Sequence, residues 1–220
     1  MIRSPSSPDP LDRIADDGVV AVLRGVDEST VLPVAEALVD GGVSGIEITA
    51  DDPGAAAKIA TLRAELAETD AVVGAGTVLD AESAAVVIDA GATFVVTPHA
   101  ALDVVRACNR RDVASLCGVL TPTEAVSAIE AGADALKVFP AGSVGPAHLS
   151  ALSGPFGDVS LIPTGGVTLQ NVGDYVDAGA VAVGVGGDLV DREAIESGDF
   201  DSIERRAAKF VEEIEAARSE

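Results

Sequence analysis

The feature that most constrains the fold is a regular alternation of short apolar runs with longer amphipathic stretches along the 220 residues. The apolarity of each short run is continuous, which is typical of parallel strands covered on both faces. Eight such runs predict strands at 19–23, 45–49, 71–75, 94–97, 114–119, 135–139, 160–164 and 181–185. Eight stretches with helical spacing follow them in turn, at 30–40, 53–68, 81–90, 102–110, 123–131, 146–152, 169–178 and 200–218.

Strict alternation of eight strands and eight helices predicts an α/β fold, a (β/α)8 TIM barrel. An open, doubly wound α/β sheet is the alternative that the same pattern allows. No linker divides the chain, and α/β barrels of this length are commonly single domains. We expect residues 1–13 to form a flexible N-terminal lead-in and residues 14–220 to form the barrel.

The net charge of −22 is large for a chain of this size. It argues against nucleic acid and anionic membrane surfaces as partners. Because the acidic residues are spread along the chain, we expect a solvated acidic surface suited to high salt, and we hypothesise a halophilic source. Residues 1–17 do not resemble a signal peptide, and no apolar run is long enough to span a membrane, so we expect a cytoplasmic location. Cys108 and Cys117 are expected to be buried thiols.

Lys137 stands out because the chain has only three lysines, the others being Lys58 and Lys209. Lys58 and Lys209 fall in predicted helices with charged neighbours. Lys137 falls in a predicted strand, where an amine costs free energy unless it is paired or deprotonated. One interpretation is a nucleophile that forms a Schiff base with a carbonyl substrate. The other is a side chain whose stem packs in the core and whose ammonium group reaches water.

Other polar residues stand at the carboxyl ends of predicted strands, where barrel enzymes carry their catalytic groups. Glu47 is either a general acid/base or a structural partner of a cation. Arg24 either forms a structural salt bridge or binds a carboxylate or phosphate, and Thr77 alone is a weak signal. The glycine-rich turns after strands seven and eight are either simple turns or phosphate sites built from backbone N–H groups. Those turns contain Thr164, Gly165, Gly166, Gly186 and Gly187.

The two histidines, His99 and His148, have neither metal-ligand spacing nor a matching acidic partner. Structural and catalytic zinc sites require several ligands that converge on one point. We therefore expect no metal site and no cofactor.

Taken together, several strings resemble the class I aldolase family that cleaves 2-keto-3-deoxy-6-phosphogluconate (KDPG), a family that also includes aldolases for 4-hydroxy-2-oxoglutarate. The resemblance covers roughly residues 14–215. Its most specific strings are GAGTVL at 74–79, KVFPA at 137–141 and PTGG at 163–166. Further matching strings are GGV at 41–43, GIEIT at 45–49, VTP at 96–98, TPTE at 121–124 and GPF at 154–156.

The resemblance implies a metal-independent barrel, usually a homotrimer, that reversibly cleaves a phosphorylated keto-deoxy sugar acid to pyruvate and glyceraldehyde 3-phosphate, as in Entner–Doudoroff-type catabolism. By motif, Lys137 would be the Schiff-base lysine and Glu47 the general acid/base that moves protons through a bound water. Thr77 would hold the pyruvate carboxylate. Pro98 and Phe139 would line the pocket, and Gly165, Gly166 and Gly187 would bind phosphate.

Three departures from the family pattern leave the substrate open. Many members have an arginine soon after the Glu-x-Thr string, where this chain has residues 50–53, and many gluconate-type members have a serine in place of Gly187. An arginine at the position of Arg24 is typical of relatives that act on the galactonate epimer. The alternatives are therefore an aldolase for the 6-phosphogalactonate epimer or for 4-hydroxy-2-oxoglutarate. A catalytically inactive barrel that binds a sugar phosphate is the alternative from another functional class.

Overall fold

Eight parallel strands form the centre of the molecule in a computed structural model that describes residues 9–157 and 159–219. The first seven strands pair with one another in the order of the chain, and the first also pairs with the eighth. In the part of the chain that the structure describes, two isolated bridges, Leu161↔Ala180 and Thr164↔Gly184, connect the region of the seventh strand to that of the eighth, so the ring is nearly closed. The strands are β1 (Val19–Leu23), β2 (Gly45–Thr49), β3 (Val72–Gly76), β4 (Phe94–Val96), β5 (Ala114–Val119), β6 (Ala135–Val138), β7 (Leu161–Pro163) and β8 (Val183–Val185).

Helices surround this ring and cover its outer face, which confirms the (β/α)8 barrel and shows that the open-sheet alternative is wrong. The eight predicted helices are all present with small shifts at their ends. The helices are α1 (Pro10–Asp17), α2 (Glu28–Asp40), α3 (Ala55–Glu65), α4 (Ala81–Asp89), α5 (Leu102–Arg111), α6 (Pro122–Ala131), α7 (Pro146–Ser153), α8 (Val172–Asp177), α9 (Arg192–Ser197) and α10 (Phe200–Arg218).

The amino-terminal helix α1 corrects one boundary. Residues 10–13 were expected to belong to a flexible lead-in, but they form the first turns of α1. Asp9 caps this helix by accepting a hydrogen bond from the backbone N–H of Leu11 at 3.0 Å, and Pro10 follows at the first helical position, where proline is favoured. Ile14 is the one buried residue of α1, so the helix lacks the repeated apolar spacing that reveals longer helices. Residues 1–8 lie outside the described residues.

The interior of the barrel is apolar near the amino ends of the strands and becomes polar toward their carboxyl ends. In the apolar part of the interior, Ile14 of α1 packs in one cluster with Val20, Phe94 and Leu116. A second, larger cluster fills the space between the strands and the surrounding helices. Cys108 and Cys117 are buried free thiols, as expected. Within the described residues, no helix is long and apolar enough to cross a membrane.

Candidate active site

Glu47 and Lys137 line the same narrow internal space, together with Thr164 of the turn after β7. Glu47 is 2% exposed and Lys137 is 5% exposed, because both project from the middle of their strands into the barrel. Burial raises the pKa of Glu47, and the positive charges of Lys137 and Arg24 oppose that shift. Among the described residues, Oε1 of Glu47 has no hydrogen-bond partner. A buried, unpaired carboxylate oxygen beside a buried amine is unusual in a purely structural core.

Glycines on neighbouring strands make room for these side chains. A Cβ atom at Gly76 of β3 would overlap the carboxyl group of Glu47 on β2. A Cβ atom at Gly184 of β8 would overlap the side chain of Thr164 in the same way. The absence of a side chain at these two positions therefore allows polar groups from the adjacent strands to occupy the barrel interior.

Thr77 follows β3 directly and adopts a left-handed backbone conformation, with φ of 56°. This conformation is uncommon for any residue except glycine and is a clear outlier for a β-branched one. Such strain costs roughly 1–3 kcal/mol and concentrates at functional sites. The Thr77 hydroxyl accepts a hydrogen bond from Nη2 of Arg24 at 2.8 Å, so the strained residue is oriented toward the loop that follows β1.

Arg24 lies at the rim of the barrel, one residue after β1. Its Nη1 forms an ion pair with Asp51 from the loop after β2, while its Nη2 donates to Thr77. The sequence left open whether Arg24 makes a structural salt bridge or meets an anion. The observed ion pair is at the mouth of the barrel, so the guanidinium group lies where a substrate would enter.

Phe139 directly follows β6, the strand that carries Lys137. The Nζ atom of Lys137 lies 5.3 Å from the centroid of the Phe139 ring, within the range of a cation–π contact, and the ring itself is exposed. Pro98 lies in the loop after β4. The hydroxyl of Thr97 fixes this loop by donating to the carbonyl of His99 at 2.7 Å and accepting from the backbone N–H of Gly118 at 2.9 Å.

The two glycine-rich turns end β7 and β8 side by side. Gly165 and Gly166 have φ of 83° and 89°, a conformation that favours glycine. Within the part of the chain that the structure describes, the N–H groups of Gly166 and Gly187 donate to no other protein group. Gly186 and Gly187 also line a cavity of about 640 Å³ that contains Arg24. The turns thus offer backbone donors at the rim that also carries Arg24.

Lys58 lies in a helix among charged neighbours, as predicted, but it is only 6% exposed. Its Nζ donates to the carbonyl of Val26 at 2.6 Å and forms an ion pair with Asp52. The available signal was its position on the apolar stripe of α3, between Ala55 and Leu62, rather than on the opposite face.

Metal ligands do not cluster in the described residues: no group of three or more His, Cys, Asp or Glu side chains there could hold an ion. The site residues predicted from the sequence supply an amine, a carboxylate, a guanidinium group and backbone N–H groups. The structure places the amine and the carboxylate inside their strands, and the guanidinium group and the backbone N–H groups just beyond the carboxyl ends of theirs.

The sequence matches the family model described as "Aldolase: KDPG and KHG aldolase" over residues 12–206. It is 37% identical over 186 residues to the 2-dehydro-3-deoxy-phosphogluconate aldolase of Pseudomonas aeruginosa, and the match covers 84% of each protein. It is 32% identical over 198 residues to the 2-dehydro-3-deoxy-6-phosphogalactonate aldolase of Escherichia coli, covering 87% of this chain and 96% of that protein. The prefix 2-dehydro-3-deoxy is another form of 2-keto-3-deoxy.

A solved structure extends the match to the fold. The KDPG aldolase of Legionella pneumophila, in which pyruvate was captured as a covalent carbinolamine intermediate, matches with a TM-score of 0.84 and 29% identity. The match covers 91% of this chain and 97% of that one. Because the family model spans almost the whole barrel and the relatives exceed 30% identity over most of their length, this chain belongs to the KDPG and KHG aldolase family.

Proposed function

We propose that this lyase is a class I aldolase that reversibly cleaves KDPG to pyruvate and glyceraldehyde 3-phosphate through a Schiff base on Lys137. The observation that carries the proposal is the pair of buried groups, the Lys137 amine and the Glu47 carboxyl, that line one internal space. The carbinolamine captured in the Legionella relative supports the same chemistry, since a carbinolamine precedes a Schiff base.

In the proposed reaction, Nζ of Lys137 attacks the C2 carbonyl carbon, and loss of water from the carbinolamine leaves an iminium. The carboxylate of Glu47 takes the proton of the C4 hydroxyl, directly or through a water, as the C3–C4 bond breaks. The electron pair of that bond moves into the iminium to give an enamine, and the aldehyde departs. Protonation at C3 and hydrolysis then release pyruvate and the free amine. The iminium acts as the electron sink, so the proposal requires neither a metal ion nor a cofactor.

Binding roles follow from the positions at the rim. Thr77 and Arg24, joined by a hydrogen bond of 2.8 Å, offer adjacent donors for the substrate carboxylate. Phe139 and Pro98 form walls of the pocket. The unpaired backbone N–H groups of the turns after β7 and β8 are suited to the phosphate, because several donors at fixed positions bind an anion well. Thr164, Gly165, Gly166, Gly186 and Gly187 form these turns.

The galactonate epimer is the second candidate substrate, and Arg24 is the observation that favours it. The loop after β2 carries Asp51, which pairs with Arg24, and no arginine of its own stands at residues 50–53. The Escherichia coli relative is named for the 6-phosphogalactonate compound. Assays with both epimers and with 4-hydroxy-2-oxoglutarate distinguish these candidates by their kcat/KM values.

Borohydride trapping tests the proposed function. Pyruvate is added to the protein and the mixture is reduced with borohydride. The mass of the intact protein and of its proteolytic peptides is then measured by mass spectrometry. We expect a covalent pyruvate-derived adduct on the peptide that contains Lys137. An unmodified protein, or an adduct located only on Lys58 or Lys209, would show that the Schiff-base proposal is wrong.

We further propose that the protein is a cytoplasmic homotrimer from a halophilic source. Large apolar side chains are exposed at Leu79, Val86, Val126 and Ile129, on or near α4 and α6, and a subunit contact would cover them. The net charge of −22 causes self-repulsion that salt screens.

Salt dependence provides a measurable expectation. We expect the melting temperature to rise by several degrees between about 0.1 M and about 2 M KCl, because screening stabilises a compact acidic protein. Sedimentation at high salt should give the mass of a trimer. A sucrose series controls for general solvent effects. A melting temperature independent of KCl would refute the halophilic proposal, and a monomer at high salt would refute the trimer.

A further inference from the structure

Arg24, Asp51 and Thr77 form a chain of polar contacts across the rim of the barrel. One nitrogen of the Arg24 guanidinium group pairs with Asp51, and the other donates to the hydroxyl of Thr77 at 2.8 Å. These three residues follow β1, β2 and β3, which are neighbours in the sheet. The side chains of Arg24 and Asp51 are 56% and 49% exposed, so both remain accessible to a ligand that enters the barrel.

A buried lysine connects the two loops that carry Arg24 and Asp51. Lys58 of α3 donates to the carbonyl of Val26, two residues after Arg24, and pairs with Asp52, the residue after Asp51. Asp52 also accepts a hydrogen bond from the backbone N–H of Gly54 at 2.7 Å. The loops after β1 and β2 are therefore joined through one buried amine. This joint holds together residues that lie close in sequence to Arg24 and Asp51.

We propose that Asp51 is a positioning residue that orients Arg24, and through it Thr77, for the carboxylate of the keto acid. This inference rests on the proposed function. The Thr77 hydroxyl accepts from the guanidinium group, so its own hydrogen is free to point elsewhere and donate. Arginine has five N–H groups, and Asp51 and Thr77 leave others available for a second acceptor. The pair thus presents adjacent donors to one anion before that anion arrives.

The exposure of the pair distinguishes positioning from structural support. Exposed ion pairs contribute little to stability, so the loss of Asp51 should hardly change the melting temperature. Preorganised donors improve binding because the ligand does not have to order them. The expected effect of losing Asp51 is therefore weaker capture of the keto acid, with little change in turnover at saturation.

The test measures borohydride trapping as a function of pyruvate concentration in wild type, Asp51→Ala and Asp51→Asn. We expect the half-saturating pyruvate concentration to rise about tenfold in Asp51→Ala and less in Asp51→Asn, which keeps an acceptor oxygen. Asp27→Asn is the matched control. It removes the same charge from the loop that carries Arg24, and the Asp27 side chain makes no capping hydrogen bond to α2. We expect its saturation curve to match that of wild type.

Repeating the Asp51→Ala substitution in an Arg24→Met background completes a double-mutant cycle. If Asp51 acts through Arg24, its removal has no further effect there. An effect that persists in that background overturns the positioning role, as does a half-saturating concentration that is unchanged or lower in Asp51→Ala alone. If wild type itself forms no adduct, the proposed function and this inference both fail. Melting curves of each variant identify any loss caused by misfolding, and Asp51→Asn then serves as the milder substitution.

Discussion

Replacing Lys137 by methionine is expected to abolish cleavage and, at the same time, to make the folded protein more stable. In the proposed reaction, no other group can form the iminium, so we expect kcat/KM to fall by at least about 10⁴-fold. The amine is buried, and the ion pairs found among the described residues do not include it. Methionine has a similar length and shape without a polar group to desolvate, so we expect the melting temperature to rise by a few degrees.

Aldol cleavage assays and thermal unfolding of the same samples check this prediction. Lys209→Met is the matched control, because Lys209 is an exposed residue of α10 and the same substitution there should change neither quantity. A Lys137→Met protein that retains more than about one hundredth of wild-type activity would exclude the nucleophile role. A decrease in its melting temperature would show that the amine contributes to the packing of the barrel.

Replacing Glu47 by glutamine is expected to slow turnover while leaving capture of pyruvate intact. Loss of a positioned acid/base typically lowers the rate by about 10²–10⁴-fold, and we expect kcat to fall within that range. The borohydride adduct should still form because the amine is unchanged. Since burial raises the pKa of Glu47 above its ordinary value of 4.5, the activity of wild type should rise with pH through that elevated pKa. The glutamine variant should lack this dependence.

The raised pKa of Glu47 also makes the stability of the fold depend on pH. A carboxyl group with a raised pKa in the folded protein stabilises the fold below its unfolded pKa, and that contribution is lost as pH rises through the folded pKa. We therefore expect Glu47→Gln to raise the melting temperature relative to wild type more at pH 8 than at pH 5. An equal difference at both values would contradict the pKa shift of Glu47.

Gly76→Ala tests the same carboxylate without altering it. Because the new Cβ would overlap the carboxyl group of Glu47, the side chain must move, and we expect kcat to fall toward the level of Glu47→Gln. In the Gly76→Ala/Glu47→Gln double variant, the two losses should not add. Full additivity would mean that Gly76 supports the site by some other route.

The eight strands and the helices that follow them could be predicted because each has a recognisable pattern within its own stretch of sequence. Continuous apolar runs identified every strand, and helical spacing together with caps identified α2 to α8 and α10. The helix α1 was missed because it buries a single residue, Ile14, and so shows no period. The short helix α9 was missed for the same reason, since Ala194 is its one buried residue.

The residues of the site also differ in whether a local sequence pattern identifies them. Glu47 and Lys137 could be selected because a charged residue inside an apolar strand is conspicuous wherever the strand goes. The contacts of Arg24 with Asp51 and of Lys58 with Val26 could not be selected, because each joins residues of different loops. Their meeting depends on how neighbouring β/α units are arranged, and no local period encodes that arrangement.

The weak pairing between β7 and β8 is expected to make that side of the barrel less stiff than the rest. From β8 through β1 to β7 the strands form one continuous hydrogen-bonded arc, which holds Arg24, Glu47, Thr77 and Lys137. The two glycine-rich turns stand at the gap in that arc, which two isolated bridges cross among the described residues. We therefore expect greater compliance at the end of the pocket proposed to bind phosphate than at the end proposed to bind the keto acid. We expect such a barrel to tolerate variation in the aldehyde half of its substrate far better than variation in the pyruvate half.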